Sequence, residues 1–137
     1  MRKSFIDCAI ETAKIWSERS EDPYKQVGVC ILNKDGRVLS IGYNGLLPKF
    51  NINENFFDDR DNRRKYMIHA ETNALSRVKR GDAPYLLAST LLPCSSCATN
   101  IIAYGIKSVV YLEDYEKDIT AKEIFKFYNI HIQKYEN

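Results

Sequence analysis

His69, Glu71, Cys94 and Cys97 are the residues of this chain whose types and spacing could do chemistry. An imidazole and two thiolates are good zinc ligands, and Pro93-Cys94-Ser95-Ser96-Cys97 places the second thiolate three positions after the first. On the first turn of a helix, positions i and i+3 share a face, so both cysteines can grip one ion. A helix N-terminus adds free N–H groups and a positive dipole end, which favour thiolate over thiol. With three protein ligands evident, a fourth tetrahedral position is left for water, the mark of a catalytic zinc. Glu71, two residues beyond His69, is placed to exchange protons with that water.

Each of these residues also has a plainer reading. A lone histidine is more often packed in a core than bound to metal. A lone C-x-x-C also suits redox motifs and structural zinc ribbons. The His69-Ala70-Glu71 triplet decides for metal chemistry, because a thioredoxin-like site has no use for it. Glu71 fits the first turn of a helix on dipole grounds alone, yet a metal-activated water needs a proton shuttle beside it.

The pattern H-x-E followed by P-C-x-x-C is the signature of zinc nucleobase deaminases. It is accompanied by Asp22-Pro23-Tyr24-Lys25-Gln26-Val27-Gly28, by Gly42-Tyr43-Asn44-Gly45 and by His69-Ala70-Glu71-Thr72-Asn73-Ala74-Leu75. On these motifs, from about Ser20 to Val110, the chain resembles the cytidine and deoxycytidylate deaminase superfamily and, within it, the deoxycytidylate (dCMP) deaminases. The resemblance implies a three-layer α/β/α sandwich with a five-stranded mixed sheet. It implies one catalytic Zn2+ per chain on His69, Cys94 and Cys97, and hydrolysis of dCMP to dUMP and ammonia with Glu71 moving the protons. It also implies contacts from Asn44 to the sugar and from the Ala70 N–H to the pyrimidine carbonyl. Gly42, Tyr43, Gly45 and Arg80 fall where the family binds dCTP or dTTP as effectors, and the family forms homo-oligomers, often hexamers.

Two features depart from parts of the family. Residues 46–68 contain neither His nor Cys, so the second, structural zinc of some phage members is not expected. Arg77, three before Arg80, stands where some regulated members carry an aromatic residue. Asn44 between two glycines also suits a plain turn, and Arg80 at a helix C-terminus is favourable without any ligand. Lys25, Arg60, Arg64 and Lys65 are candidates for a phosphate.

The elements that must position these residues follow from periodicity. Phe5, Cys8, Ala9, Thr12, Ile15 and Trp16 recur at helical spacing, which predicts a helix over 4–19 capped by Ser4. Residues 26–33 and 37–43 read as a hairpin around Lys34-Asp35-Gly36. Residues 46–65 read as a loop with a short helix over 56–65. A helix from about His69 to Arg80 should stop at Gly81, and another should run from Pro93 to Gly105. Strands at 85–91, 108–112 and 130–134 and a helix at 120–128 complete an α/β order. A hairpin followed by strand–helix alternation implies a mixed sheet covered on both faces. Ligands in such sheets sit at the C-terminal strand ends.

Composition bounds the rest. The 137 residues suit one domain, 1–137, and 45% hydrophobic with 28% charged residues is ordinary for a soluble globular protein. A net charge of +2 is too small to argue for nucleic acid or a membrane. No apolar run approaches the ~20 residues of a membrane span. Charges at Asp7, Glu11, Lys14 and Glu18 speak against a signal peptide. Four cysteines without such a signal predict thiols or metal ligands in the cytoplasm, with Cys8 and Cys30 as small buried hydrophobes. Competing readings are a deaminase acting on dCTP, cytidine or a tRNA base, and a zinc-stapled interaction module. The module would need a fourth protein ligand and would leave Glu71 without a task.

Overall fold

Ser4 opens the fold. Its hydroxyl accepts from the Asp7 N–H at 3.0 Å, and the Asp7 carboxylate accepts from the Ser4 N–H at 3.2 Å. This capping box starts α1 (Phe5–Ser17). The computed structural model describes residues 2–50, 52–53, 55–79 and 81–136. Of α1, Ala9, Ile10 and Ala13 are buried, with Ile6 packed beside them, whereas Phe5, Cys8 and Ile15 are exposed. The expected burial of Cys8 is therefore wrong by one step around the helix. Size decides the stripe. Ala13 lets the helix lie so close to the sheet that a Cβ on Gly28 would stand 1.9 Å from the Ala13 carbonyl oxygen.

The hairpin is β1 (Gly28–Asn33) and β2 (Val38–Tyr43), turned by Gly36 at φ 85°. With β3 (Pro84–Leu91), β4 (Ser108–Glu113) and β5 (His131–Lys134) it forms one sheet in the order β2-β1-β3-β4-β5. β1 pairs antiparallel with β2 and β3, while β3–β4 and β4–β5 are parallel. The period-two alternation splits the core in two. Cys30, Leu32, Leu86, Ala88 and Val110 meet α1. Val29, Ile31, Leu87 and Val109 meet the opposite layer, made of α3 (Ala70–Leu75), α4 (Ser95–Ala103) and α5 (Thr120–Phe127). The expected three-layer sandwich with a five-stranded mixed sheet is what forms.

Two helices differ from the sequence reading. The helix expected to reach Arg80 ends at Leu75, because its last turn tightens: the Arg77 N–H donates to Ala74 and the Val78 N–H to Leu75, three residues back. The Ser76 hydroxyl also takes the Asn73 carbonyl at 2.7 Å, competing with the helical ladder. The helix expected from Pro93 begins at Ser95, with Cys94 as its N-cap. Between β2 and α3 lies α2 (Arg60–Tyr66), opened by the Asp59 carboxylate accepting from the Asp61 N–H at 2.8 Å. Among the described residues, no helix is long and apolar enough to cross a membrane.

Candidate active site

Two helix starts bring the donors together. His69 is the N-cap of α3, Cys94 is the N-cap of α4, and Cys97 lies one turn into α4. His69 Nδ1 is 3.2 Å from Cys97 Sγ and 3.7 Å from Cys94 Sγ, and all three donor atoms lie within 4.8 Å of one another. In a tetrahedral zinc site with ordinary bond lengths, N and S stand ~3.5 Å apart, so the donor set fits the ion. The approach to His69 is fixed by a two-way bridge: the Ile68 N–H donates to Gly45 at 2.8 Å and the Gly45 N–H to Ile68 at 3.1 Å.

The electrostatics also favour a cation. Hydrogen bonds from Cys97, His69 and Ser96 hold the Cys94 thiol down at about 3. Its bond to Cys94, burial and the charges of Glu71 and Cys94 push Cys97 in the other direction. His69 is raised, first by its bond to Cys94. Unaided, the three groups share protons among themselves; a divalent ion would take the place of those protons. Glu71 is 5% exposed, and burial pushes its carboxyl up to about 7.

His69, Ala70, Glu71, Cys94 and Asn44 line one cavity of about 260 Å³. Asn44 is anchored by its amide: Oδ1 accepts from the Val27 N–H at 2.8 Å, and Nδ2 donates to the Lys25 carbonyl at 2.9 Å. Tyr43 and Gly45 line a different cavity of about 350 Å³, shared with Ser40, Asn73 and Arg77. Gly42 packs under α3 instead, where a Cβ would stand 2.6 Å from the Ala70 carbonyl oxygen. Arg80 lies outside the described residues. Of the four phosphate candidates, Lys25 and Arg64 line the first cavity, and Arg60 lines only the groove beyond it. Lys65 lies over the Tyr66 ring, 5.8 Å from its centroid. Sequence reasoning missed Asp22, Leu91 and Tyr115 as lining residues, whereas Arg63, part of the basic run with Arg60, Arg64 and Lys65 that could meet a phosphate, does line the cavity. For Leu91 and Tyr115, position near the C-terminal ends of β3 and β4 was the available signal.

The family model for the cytidine and deoxycytidylate deaminase zinc-binding region matches residues 1–113. A deoxycytidylate deaminase of Mus musculus is 34% identical over 132 residues, covering 87% of this chain and 72% of its own. A probable deoxycytidylate deaminase of Drosophila melanogaster is 35% identical over 128 residues, 82% of this chain; the matched part spans 63% of that relative's length. The crystal structure of a dCMP deaminase from the cyanophage S-TIM5, in complex with dCMP and dUMP, is 26% identical and superposes with a TM-score of 0.81, covering 98% of this chain and 99% of the other.

Proposed function

The chain belongs to the cytidine and deoxycytidylate deaminase family, and from that premise we propose that it deaminates dCMP to dUMP. The observation that carries this reading is the convergence of His69, Cys94, Cys97 and buried Glu71 at a cavity also lined by Lys25, Arg63 and Arg64. His69, Cys94 and Cys97 would hold a zinc ion there, and its Lewis acidity would make water a nucleophile at neutral pH.

Glu71 is the proton shuttle of this scheme. Its carboxylate takes a proton from the water that attacks C4, and delivers protons to ring N3 and to the departing amine. One water is consumed, the C4–N bond breaks, a carbonyl replaces it, and ammonia leaves. The Ala70 N–H, one of the unpaired donors at the start of α3, holds the pyrimidine carbonyl. Asn44 keeps one N–H and one lone pair beyond its two backbone bonds, enough to meet a sugar hydroxyl. Under the same proposal the protein works as a homo-oligomer. Effectors such as dCTP or dTTP take the second cavity, beside Tyr43, Gly45 and Arg77.

The test is zinc content together with kcat/KM for dCMP, dCTP, deoxycytidine and a short cytosine-containing strand. A preference for dCMP of ~10-fold or more, about 1.4 kcal/mol of transition-state binding, supports the reading. Equal rates on deoxycytidine move the assignment to a cytidine deaminase. A best rate on the strand moves it to nucleic-acid editing.

A further inference from the structure

The cavity that contains Glu71 and a larger groove of about 590 Å³ have Asp22, Lys25, Arg63, Arg64, Leu91 and Tyr115 in common, the Asp22 carboxylate being turned to the backbone N–H groups of Tyr24 and Lys25. These side chains therefore stand at the boundary between the two spaces. A cytosine whose C4 faces His69, Cys94, Cys97 and Glu71 leaves its sugar and 5′ substituent at that boundary. We propose that Lys25 and Arg64 form a clamp for the substrate's 5′-phosphate, and that Glu113 holds Lys25 until the phosphate displaces it. The proposal rests on the dCMP reading above and adds the residues that make it a monophosphate enzyme.

The structure selects these two cations from their neighbours. The backbone at Lys25 is fixed on both sides: Asp22 Oδ1 accepts from the N–H groups of Tyr24 at 2.8 Å and Lys25 at 3.2 Å, and Asn44 Nδ2 holds the Lys25 carbonyl at 2.9 Å. The lysine is thus tied to a residue that lines the base cavity. Its ammonium pairs with the Glu113 carboxylate, the two side chains being 49% and 56% exposed. An exposed pair of this kind contributes little and exchanges readily. Arg63 is already committed: its guanidinium lies over the Tyr24 ring, 4.1 Å from the centroid, and donates to the Phe57 carbonyl. That contact docks α2 against the 22–26 turn and leaves the adjacent Arg64 exposed at the mouth. Among the described residues, Arg64 has no carboxylate partner within ion-pair distance.

Charge and shape agree with a phosphomonoester. Such a group carries nearly two negative charges at neutral pH, matching one released lysine and one arginine. The planar guanidinium can grip two phosphate oxygens while the ammonium acts as a point charge. Beyond the clamp, the groove is walled by Arg60 and Lys117 against Glu113, Asp114 and Glu116, which offers further phosphates no net positive track.

The experiment uses the zinc-loaded full chain with Lys25→Gln, Arg64→Gln, Arg64→Lys and Glu113→Gln, each checked for fold and zinc content. Lys25→Gln and Arg64→Gln should each lower kcat/KM for dCMP at least 10-fold more than for deoxycytidine, which lacks the phosphate. Arg64→Lys should recover part of the loss, and Glu113→Gln should lower KM for dCMP. Equal losses on both substrates would overturn the clamp and leave the residues a loop-shaping role. Turnover of dCMP by the parent scores the functional reading separately. Calorimetric titration with dUMP scores the clamp even without turnover: unchanged Kd values in both glutamine variants would overturn it.

Discussion

The Asp118 carboxylate accepts a 2.7 Å hydrogen bond from the backbone N–H of Ser95, fastening the loop after β4 to the first residue of α4. Cys94, the N-cap of that helix, makes no side-chain cap bond, and its sulfur lies near His69 and Ser96. A residue from another loop therefore supplies the cap acceptor, and a carboxylate there also suits the helix dipole. The Ser95 N–H is the chief reason the Asp118 carboxyl is held below its usual range.

Asp118→Ala should therefore loosen the Cys94–Cys97 turn and weaken zinc binding by ~10-fold, the lower end for residues supporting metal ligands. Asp118→Asn, whose amide oxygen can still accept, should recover part of this. The rate of zinc transfer to a chromogenic chelator reads it. Identical rates in parent and alanine variant would show that α4 needs no such anchor.

Cys94→Ala and Cys97→Ala should each lose zinc and lower Tm together, because metal-binding energy stabilises the folded chain. Stripping the parent with a chelator should reproduce the same melt. A variant retaining full zinc occupancy would remove that cysteine from the ligand set.

Glu71→Gln should keep zinc and fold while activity falls ~10²-fold or more, the usual scale for a general acid–base. The amide fills the same buried volume but cannot carry the proton. Turnover near the parent rate would make Glu71 a helix-start residue only.

Most of the fold and the metal site was legible in the sequence because each rests on local pattern. Hairpin turn, strand alternation and the two motifs all act within a few residues. What was not legible depends on contacts between distant segments. The true buried stripe of α1 depends on how closely Ala13 approaches Gly28, and periodicity alone cannot rank adjacent stripes. Asp118, Arg63 and Tyr115 acquire their places only when the β4–α5 loop and α2 fold over the cavity.

The Tyr135 hydroxyl donates to Asp7 Oδ1 at 2.7 Å, tying the segment after β5 to the α1 capping box. This bond, followed by those from Ser4, lowers the Asp7 carboxyl from 3.8, and the same bond raises Tyr135 from 10.0. A depressed acid contributes stability above its unfolded value and loses it as pH falls through the folded one. A raised phenol contributes below its unfolded value and loses it as pH climbs through the folded one. The stability difference between parent and Tyr135→Phe should therefore be level from about pH 5 to 9 and shrink on both sides. Urea midpoints across that range measure it; a flat difference from acid to alkali would remove the bond as the cause.

Gly42 distinguishes a packing role from a ligand role within the Gly42–Gly45 motif. A Cβ there would stand 2.6 Å from the Ala70 carbonyl oxygen, 2.6 Å from the Ala74 nitrogen and 2.9 Å from the Ala74 Cβ. None of these atoms is the end of a flexible side chain, so α3 itself would have to move. It is held against β2 by the Ser40 hydroxyl on the Ala74 carbonyl at 2.6 Å and by Asn73 Nδ2 on the Tyr43 carbonyl at 2.9 Å. Moving α3 also moves His69 and Glu71 relative to the cysteines of α4. Gly42→Ala should thus destabilise by ~1–3 kcal/mol, as overpacked cores do, and speed zinc loss. At Gly45 the added Cβ would meet only the end of the Glu21 side chain, at 3.1 Å, so Gly45→Ala should fold and hold zinc nearly as the parent does. Thermal melts and chelator kinetics of the two variants decide the matter. If Gly42→Ala matched the parent in both and altered only the response to dCTP or dTTP, the close approach of β2 to α3 would not be what Gly42 provides.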